Sequence, residues 1–501
     1  MKENLYLAID QGGQSSRIGI YTESGELICQ FAAPCTTYRH QPESSSYPHI
    51  EQDGNEILAG IRQCLSKVQA YLGKSVSQIK SASFAGQGSS LLCWDSKTGE
   101  PLTPVLSWQD IRGELYLQEI PLIHQQAQHI TGLRVSPHYG ASKIRWCLDN
   151  SEPVKKALLD NSLCIGPIVS FIFWHLLGGK NLVDPGHAQR TLLWNLHNND
   201  WDERLLELFN IPRSVLPECR FHNSDFGKLI LGDNSILFAA SARDQGASLF
   251  VNGMPDETAC YINIGTGAFI QRVRNVLHAP DGLLVSPLWI PQNSFYNEEN
   301  IESSPPCYLH ELVDKPWYAW EATVNGAASA ISYIQEHTNL EVTPEQIDAA
   351  LKLTPQQDIY FLNAIGGLSA PYWRTDLLSE FSPGLSAQEK ILTWIESVIF
   401  QIAVNIELMK KSGGIRVVRI SGGFSRSNAI CQKLADICEL DVCRSDNVDA
   451  TLQGAACMAT GLSPNWKPEF QLETFLPQKN ISLKKRFQVW QHAMQAWLQA
   501  Q

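Results

Sequence analysis

The chain has no excess of basic residues, because its 501 residues include 39 Lys and Arg against 51 Asp and Glu. The formal net charge of −12 argues against a protein that coats nucleic acid or an anionic membrane, so neither partner is expected. A nucleotide is not excluded, since a few local groups can bind one. Hydrophobic residues make up 44% and charged residues 18%, which excludes disorder as the main state, and the length favours two domains.

The chain also lacks an apolar run that could cross a bilayer. The run near the N-terminus, Leu5 to Ile9, is too short for a signal peptide. The longest run, Cys164 to Leu177, is shorter than the roughly 20 residues that a transmembrane helix needs. We therefore expect a cytoplasmic protein.

Cysteine is present, with 13 residues, but no C-x-x-C pair occurs. Most of the cysteines lie within apolar runs, as Cys260 and Cys457 do, which is typical of reduced and buried thiols. A zinc site formed by Cys438 and Cys443 is an alternative, although a matching second pair is missing.

Several common catalytic and nucleotide motifs are missing as well. The chain has no GxxxxGK[ST] loop, no GxGxxG that opens a helix after a strand, and no HExxH, GxSxG or kinase-type HRD motif. P-loop NTPases, dinucleotide-dependent oxidoreductases and zinc proteases of the HExxH type thereby lose most of their support.

Strand-like and helix-like segments alternate along the chain, which predicts the α/β class. Asp53 can cap a helix whose apolar residues share one face, with Glu56 three residues further on. The main segments that we expect are helices from Asp53 to Leu72, Glu389 to Lys411 and about Ser427 to Cys438, a strand from Val417 to Ile420, and a surface loop at Ser304-Pro305-Pro306.

A strand, a glycine turn and a second strand occur twice. The first turn follows Asp10 and contains Gly12 and Gly13, and the second contains Gly265 and Gly267. Two related domains that each offer a glycine hairpin to a shared cleft would explain the repeat, although glycine hairpins are common in themselves.

These turns have the composition of phosphate-binding loops, because glycine lets backbone N–H groups approach an anion closely. Asp10 ends a buried strand, where a carboxylate can hold a hydrated Mg²⁺. Gly422-Gly423, between a strand and a helix, can accept a flat adenine or ribose. The hydroxyl donors beside the turns are Ser15, Ser16 and Thr266.

Further motifs follow in a fixed order: Trp94-Asp95, Thr98-Gly99, Trp108-Gln109-Asp110-Ile111-Arg112, Thr131-Gly132-Leu133, Ser142-Lys143-Ile144-Arg145-Trp146, Arg243-Asp244-Gln245, Ala370-Pro371-Tyr372-Trp373, and Ser421-Gly422-Gly423 with Ser427, Gln432 and Ala435-Asp436. Together with the glycine turns, this series resembles the FGGY family of carbohydrate kinases. Each motif is weak alone, and their order over nearly the whole chain carries the resemblance.

The resemblance implies two related domains of the sugar kinase, actin and heat-shock-chaperone ATPase type (ribonuclease H-like) around a central cleft. Residues 1–247 would bind the sugar and carry the first phosphate hairpin. Residues 248–501 would carry the second hairpin, the adenosine segment and a closing C-terminal helix. ATP and Mg²⁺ are the implied cofactors, and a small sugar or polyol is the implied substrate. The sequence does not give the oligomeric state, and a homodimer is one assembly that we consider.

The resemblance also implies a role for each residue that matches a motif. Asp244 would act as the general base, and Asp10 would hold the metal ion. The residues implied for ATP are Gly12, Gly13, Ser15, Ser16, Arg17, Gly265, Thr266, Gly267, Gly422, Gly423, Phe424 and Ser427. Those implied for the substrate are Gln87, Gly88, Ser89, Trp108, His138, Asp244 and Gln245.

Three of these roles have structural alternatives. Arg17 can supply positive charge or brace its strand. Trp108 can stack on a sugar or belong to the core. His138, which aligns with a substrate-facing Tyr of glycerol kinases, can also be an ordinary surface residue.

The chain departs from the family pattern at three places. Gly13 stands where a Thr is usual, and Leu368-Ser369 replaces a Glu-Arg pair. Gly88-Ser89 follows Gln87 where glycerol kinases have Arg-Glu and xylulokinases have Met-His. The smaller residues are expected to enlarge the pocket and favour a ketose such as a pentulose over glycerol.

The leading hypothesis is therefore an ATP-dependent kinase of a sugar or polyol. A regulator that binds nucleotide or sugar without turnover is the alternative, because of the departures. A chaperone-like ATPase lacks a peptide-binding domain of suitable length, since Pro464 to Gln501 predicts only one closing helix.

Overall fold

The computed structural model describes residues 3–43, 45–118, 120, 123–292, 313–353, 356–447 and 449–499, with the backbone alone at 123–125. The loop expected at Ser304-Pro305-Pro306 lies outside these residues. The chain divides into two compact units. The first unit comprises Met1–Pro255, Val285–Tyr318 and Val448–Glu469, and the second comprises Asp256–Leu284, Ala319–Asn447 and Phe470–Gln501.

The strands of the described residues are β1 (Leu5–Gln11), β2 (Ser15–Thr22), β3 (Leu27–Pro34), β4 (Tyr38–His40), β5 (His49–Gln52), β6 (Ile79–Gly86), β7 (Leu91–Asp95), β8 (Val105–Leu106), β9 (Leu163–Pro167), β10 (Leu182–Val183), β11 (Trp194–Asn195), β12 (Asp200–Trp201), β13 (Glu218–Cys219), β14 (Gly227–Leu231), β15 (Asn234–Arg243), β16 (Ala259–Ile264), β17 (Ala268–Arg274), β18 (Leu284–Trp289), β19 (Trp317–Val324), β20 (Phe361–Leu362), β21 (Glu380–Phe381), β22 (Val417–Ser421), β23 (Asp441–Ser445) and β24 (Leu472–Phe475).

The α-helices of the same residues are Gly54–Leu72, Glu114–Gln118, Ile123–Thr131, Gly140–Asn150, Glu152–Leu159, Ile168–Leu176, Pro185–Gln189, Glu203–Leu208, Asp244–Ala247, Ile331–Thr338, Pro344–Leu351, Ala387–Lys410, Asn428–Cys438, Ala450–Ala459 and Ile481–Gln499. Short 3₁₀ helices cover Gly73–Gln78, Arg213–Val215, Ser248–Phe250, Ala328–Ala330 and Gly423–Arg426.

The main sheet of the first unit has the strand order β14-β15-β6-β1-β2-β3. The hairpin β1–β2 is antiparallel, whereas β6 runs parallel to both β1 and β15. All seven side chains of β1 are buried, as expected for a central strand with both faces covered. The helix Ala450–Ala459 packs on this sheet, where Ser83 in β6 donates a hydrogen bond to the Ala455 carbonyl at 2.6 Å.

The second unit repeats this pattern. Its sheet contains β19-β17-β16-β22-β23-β24 in that order. The hairpin β16–β17 is antiparallel, and β22 runs parallel to both β16 and β23. The expected α/β class is thus confirmed, and each unit contains a glycine-turn hairpin next to two parallel strands. The predicted division of the chain between residues 247 and 248 stays a prediction.

The first unit also contains a smaller five-stranded sheet with the order β4-β5-β8-β7-β9. The pair β4–β5 is antiparallel, and β5 is followed directly by the helix Gly54–Leu72. As predicted, Asp53 caps this helix, because its side chain accepts hydrogen bonds from the N–H groups of Asn55 and Glu56. Glu56 does not complete a capping box; its carboxylate instead accepts hydrogen bonds from Thr36.

The helix predicted to start at Glu389 begins earlier, at Ala387, because Ser386 and Glu389 form a complete capping box. The helix is long and apolar enough to span a membrane, but 83% of its most apolar window is buried in the protein. At the C-terminal end, the expected single helix is Ile481–Gln499, and the strand β24 precedes it.

The cysteines fit the prediction of reduced thiols. The twelve cysteines in the described part of the chain are all free, and most of them are buried. Cys438 and Cys443 do not belong to any metal-binding group of side chains found in that part, so the zinc alternative has no support there.

Gly454, in the helix Ala450–Ala459, lies directly against the backbone of Ala247. A Cβ built on Gly454 would lie 1.8 Å from the Ala247 carbonyl oxygen, at the end of the short helix that begins with Asp244. We expect Gly454→Ala to lower the free energy of unfolding by more than about 3 kcal/mol, because backbone must move to admit the methyl group.

Urea denaturation measures this change. Gly414→Ala is the matched control, because a Cβ there meets nothing within 4 Å. Its free energy of unfolding should stay within about 0.5 kcal/mol of the parent value. Equal stability of the two variants would contradict the close approach of the two helices.

Candidate active site

Three neighbouring strands of the first unit end at the same edge of the sheet. Gln11 in β1 and Arg243 in β15 both pair with Gly86 in β6, and the three strands run parallel. Asp10, one residue before the end of β1, and Asp244, directly after β15, therefore lie at the carboxyl ends of the two parallel strands that flank β6. This edge is where open α/β sheets usually bind ligands.

Asp10 is a buried carboxylate with an incomplete set of partners. Its Oδ2 atom lies 2.8 Å from Arg17 Nη2, yet Oδ2 makes no hydrogen bond of good geometry with the described residues. Burial raises the pKa of Asp10 to about 7; Arg17 opposes this rise, and the carboxylates of Asp244 and Asp449 add to it. A cation bound to Asp10 would offset both the unfavourable burial of the ionised carboxylate and its repulsion by the other two carboxylates.

Arg17 braces this group. It pairs with Asp10 across the hairpin, and its Nη1 atom forms an ion pair with Asp449, just before the helix Ala450–Ala459. Gln30 in β3 donates a hydrogen bond to the other Asp449 oxygen at 3.0 Å. The structure therefore shows the bracing role of Arg17, while the supply of charge to a phosphate stays a prediction.

Asp244 opens a short helix directly after β15 and is half-buried. Its Oδ1 accepts a hydrogen bond from the Gln245 N–H at 2.7 Å. Burial raises the pKa of Asp244, while that N–H and Arg243 act in the opposite direction. A carboxylate with a raised pKa is a stronger base than an exposed one.

Gln87 lies within a buried network of side-chain amides. It donates to Gln52 Oε1 at 2.8 Å and to Gln11 Oε1 at 3.1 Å, and it accepts from Ser90 Oγ at 2.8 Å. Gln52 in turn donates to the Gly13 carbonyl at 2.8 Å. These bonds join β1, β5 and the segment after β6, so the position of Gln87 is fixed from several sides.

The first glycine turn is held by its own backbone and by this network. The Gly12 N–H donates to the Ser15 carbonyl at 2.9 Å. Gly12, Gly13 and Ser15 are half-buried, whereas Ser16 is buried. Ser15 thus fits the predicted phosphate role better than Ser16 does.

Trp108 is not a core residue, since 44% of it is exposed. The position of a Cβ on Gly13 lies 4.0 Å from Trp108 Nε1, so the indole stands beside the first glycine turn. His138 Nδ1 lies 3.1 Å from the Trp108 carbonyl oxygen. The structure therefore brings Trp108, His138 and Gly13 together on one side of the first unit.

Lys143 is fully buried and contacts the backbone next to Trp108. Its Nζ donates to the carbonyls of Ser89 and Ser107 at 2.9 and 3.0 Å. Burial lowers the pKa of Lys143 to about 7, with Asp110 opposing the shift. By bonding these two carbonyls, the Lys143 amine fixes the backbone at Ser89 and at Ser107, which precedes Trp108.

The space beside Gly88 is filled, contrary to the expectation of an enlarged pocket. A Cβ on Gly88 would lie 3.1 Å from both Arg190 Cγ and Arg243 Cδ. These two arginine stems occupy the place of a side chain, so glycine opens no additional room there. Glycine at position 88 therefore allows the two arginine stems to pack close to the backbone.

A second buried network lies beneath β6 and β15. His187 Nδ1 lies 2.6 Å from Asp184 Oδ2, and His187 Nε2 lies 3.2 Å from the Gly86 carbonyl oxygen. Ser241 in β15 donates to the same Asp184 oxygen at 2.6 Å. The charges and donors of His187, His222 and Ser241 hold the pKa of Asp184 far below its usual range against the effect of burial. The network ties the ends of β6 and β15 together.

The second unit places its glycine segments at the equivalent edge. The Gly265 N–H donates to the Gly267 carbonyl at 2.8 Å, and the turn leaves Thr266 exposed. Gly267 must be glycine, because a Cβ would lie 2.8 Å from the Val324 carbonyl oxygen. The neighbouring parallel strands β16 and β22 end at this turn and at Gly422.

Gly422 has a φ of +93° and would place a Cβ 2.5 Å from the Ile264 carbonyl oxygen. Gly423 is open and exposed, and Phe424 packs edge-to-face on Trp394 with ring centroids 6.0 Å apart. Ser427 donates to Asp348 at 2.8 Å. The structure therefore brings Gly265–Gly267 and Gly422–Gly423 together, while Ser427 is engaged with a neighbouring helix.

The segment with the missing Glu-Arg pair is braced in another way. Leu368 and Arg374 exchange two backbone hydrogen bonds of 2.7 and 2.8 Å. Asn325 donates to the carbonyls of Gly366 and Gly367 at 2.7 and 3.0 Å. Backbone pairing and one amide thus replace the ion pair.

Several residues that shape these edges carry no sequence signal of a site residue. Gln11 lies between Asp10 and Gly12, and Lys143 stands in the motif Ser142-Lys143-Ile144-Arg145-Trp146, but neither motif indicates that its side chain is buried. No sequence pattern connects Asp449 or Asn325 with residues so distant in the chain. The full set is Gln11, Gln52, Ser90, Lys143, Asp184, His187 and Asp449 in the first unit, and Asn325, Gly366 and Gly367 in the second.

Comparison with known proteins extends over both units. The N-terminal domain model of the FGGY family of carbohydrate kinases matches residues 5–248, and the C-terminal domain model matches residues 294–461. A glycerol kinase of Geobacter sp. (strain M21) is 29% identical over 466 residues, which cover 90% of this chain and 89% of that protein.

Solved structures show the same fold. Plasmodium falciparum glycerol kinase with ADP has a TM-score of 0.84 and 23% identity, and the alignment covers 99% of this chain and 98% of that one. Ligand-bound xylulose kinase from Lactobacillus acidophilus has a TM-score of 0.78 and 20% identity, with 98% of both chains covered.

The burial of Asp10 predicts a stability cost that depends on pH. Its pKa in the folded chain is about 7 against an ordinary 3.8, so the folded state binds the proton more tightly than the unfolded state. The cost of ionised Asp10 is therefore complete above about pH 7 and disappears as the pH falls towards 4. We expect Asp10→Asn to be more stable than the parent by about 1–4 kcal/mol at pH 8.

Urea denaturation at pH 8 and at pH 5 checks this expectation. The advantage of Asp10→Asn should shrink at the lower pH, where the parent carboxyl is mostly protonated. A variant that is less stable than the parent at pH 8 would contradict the assigned burial and repulsion.

Proposed function

The chain belongs to the FGGY family of carbohydrate kinases, and on this premise we propose that it transfers the terminal phosphoryl group of ATP to a hydroxyl of a small sugar or polyol. The observation that carries the proposal is the pair of carboxylates, Asp10 and Asp244, at the carboxyl ends of β1 and β15, the two parallel strands on either side of β6. Such a transfer needs positioning and charge neutralisation more than covalent help from the protein.

Asp244 is proposed as the general base. Its raised pKa makes it a competent proton acceptor, and the Gln245 N–H holds Oδ1 in a fixed direction. The carboxylate orients the acceptor hydroxyl and takes its proton as the oxygen forms a bond to phosphorus and the bond to the leaving phosphate breaks. The network of Asp184, His187 and Ser241 supports this role, because it fixes the strand that ends at Asp244.

Asp10 is proposed as the residue that holds Mg²⁺. Its buried Oδ2, which has no hydrogen bond of good geometry to the described residues, and its repulsion by two other carboxylates fit a divalent cation. When bound, the ion supplies charge for the phosphate oxygens. Arg17 and Ser15 are assigned to the phosphate groups on the same side of the first unit.

ATP is proposed as the phosphoryl donor, supported by the family and by the ADP named for the Plasmodium relative. In the second unit, Gly265, Thr266 and Gly267 are assigned to the phosphates, since their glycine turn leaves Thr266 exposed. Gly422, Gly423 and Phe424 are assigned to the adenosine. Ser427 is assigned a structural part in that segment, because its hydroxyl bonds Asp348.

The acceptor is proposed to lie against Gln87, Trp108 and His138. The exposed indole of Trp108 offers an apolar face to the C–H groups of a sugar. A ketose or a polyol larger than glycerol is favoured because the Arg-Glu pair of glycerol kinases is absent at Gly88-Ser89. Because the stems of Arg190 and Arg243 fill the space beside Gly88, this preference depends only on the missing charge pair and on the smaller side chain of Ser89.

Asp244→Asn tests the base. We expect the turnover number to fall by about 10²–10⁴-fold, because the amide cannot accept the proton, while ATP binding changes little. A coupled assay of ADP release and nucleotide titration measure the two effects. Asp233→Asn, at the exposed turn before β15, is the matched control and should retain turnover. Unchanged turnover in Asp244→Asn would refute the assignment.

A panel of polyols, ketoses and glycerol with Mg-ATP tests the acceptor. We expect a ketose or a larger polyol to give a kcat/KM at least about tenfold above that of glycerol, since no charge pair is present to hold the smaller molecule. Glycerol as the best substrate would overturn the preference while leaving the kinase activity intact. Binding of ATP or sugar with no turnover on the whole panel would instead favour the regulator.

A further inference from the structure

A group of three metal-binding side chains lies on the hairpin β4–β5 of the first unit, and the proposed reaction does not use it. His40 and His49 face each other in the antiparallel register, and Glu51 follows two residues after His49. Because side chains alternate between the faces of a strand, all three stand on one face.

The three side chains are close enough to bind one ion. Their candidate ligand atoms lie within 4.8 Å of one another. Glu51 Oε2 is 3.9 Å from His40 Nε2, and Glu51 Oε1 is 3.8 Å from His49 Nδ1. Ligands on one tetrahedral ion at about 2.0–2.1 Å would lie roughly 3.4 Å apart. Small rotations of these side chains would close both differences, and the exposed His40 is the freest to move.

His49 is the second observation that points to an ion. Its side chain is 10% exposed, and Nε2 has no hydrogen-bond partner within the described parts of the chain. Nδ1 lies 3.8 Å from Glu51 Oε1, which is too far for a hydrogen bond. One ion can bind only one of the two ring nitrogens, so it would take either Nδ1 beside Glu51 or the unpartnered Nε2; a bound ion is one of the standard explanations for a buried polar atom without a partner.

The charges around the group also favour a cation. Arg112 binds Glu51 Oε1 at 2.7 Å, but it also binds Asp110, so the three groups together carry a net negative charge. Burial, followed by the charge of Arg112, lowers the pKa of His49. Arg112 fixes one Glu51 oxygen and leaves Oε2 towards His40.

The group opens to solvent on one side. His40 and Glu51 line a surface cavity of about 620 Å³, together with the acidic residues Asp53 and Glu100. An ion can therefore enter from solvent, and water can complete its coordination.

We propose that His40, His49 and Glu51 bind one divalent transition-metal ion, with Zn²⁺ as the representative ligand. Two imidazoles and one carboxylate suit Zn²⁺ and similar borderline ions, whereas Mg²⁺ prefers oxygen ligands. The site is separate from the carboxylate of Asp10. Since Gln52 adjoins Glu51 and bonds both Gln87 and Gly13, the ion would also stiffen the strand that positions those residues.

Zinc titration of the chelator-treated protein tests the proposal, with excess Mg²⁺ and no ATP present. Competition with a chromogenic chelator gives the affinity and the number of ions bound. We expect one Zn²⁺ per chain. His40→Ala should weaken its binding by at least about tenfold, because even the loss of a residue that only hydrogen-bonds a metal ligand lowers affinity by about 10- to 100-fold. His40 is exposed, so this variant should fold normally, which circular dichroism checks.

Two control variants separate ligation from general charge. Glu100→Gln removes a carboxylate from the cavity wall, and His492→Ala removes an exposed imidazole elsewhere; both should bind Zn²⁺ within about threefold of the parent. The proposal is overturned if the parent binds no Zn²⁺, or if His40→Ala binds it as tightly as the parent. A failure of kinase activity in all proteins would leave this readout unaffected.

Discussion

The electrostatic constraint on which the first unit depends is the burial of the Asp10 carboxylate close to two others, those of Asp244 and Asp449. Burial raises the pKa of Asp10 to about 7, and repulsion by the other two carboxylates adds to the rise. Arg17 pairs with Asp10 and Asp449 and is itself half-exposed. The fold keeps a destabilising charge at the end of its central strand, as binding sites commonly do at the expense of stability.

The two units have the same local arrangement of strands and turns in their main sheets. In each, a hairpin with a glycine turn adjoins parallel strands, so that loops converge at one sheet edge. The glycines are required for different reasons, however. Gly267 and Gly422 lie against backbone carbonyl oxygens, whereas Gly88 makes room for the stems of Arg190 and Arg243. Glycine content alone therefore says little about where a ligand binds, and the neighbouring atoms decide the reason at each position.

Much of the fold could be predicted from the sequence, because its signals are local. The Asp53 cap, the β1–β2 hairpin and the strand before Gly422 depend on residues close in the chain, and the structure has each of them. Side-chain networks were not predictable in the same way. Gln11, Gln52 and Gln87 meet only after three segments have folded, and a buried Lys143 cannot be told from a surface lysine by composition. The packing of Arg190 and Arg243 against Gly88 was not predictable either, because these residues are distant in the chain.

The close approach of Gly454 to Ala247 has a consequence for the order in which the chain can complete itself during synthesis. Residues 5–255 leave the ribosome well before residues 449–459, at about 5–20 residues per second. Until that later segment arrives, β1 and β6 lack the helix that covers them, and Arg17 lacks Asp449. The first unit is thus finished by a piece of chain made after most of the second unit. A truncated product that ends before residue 449 would present an uncovered apolar sheet to chaperones and proteases.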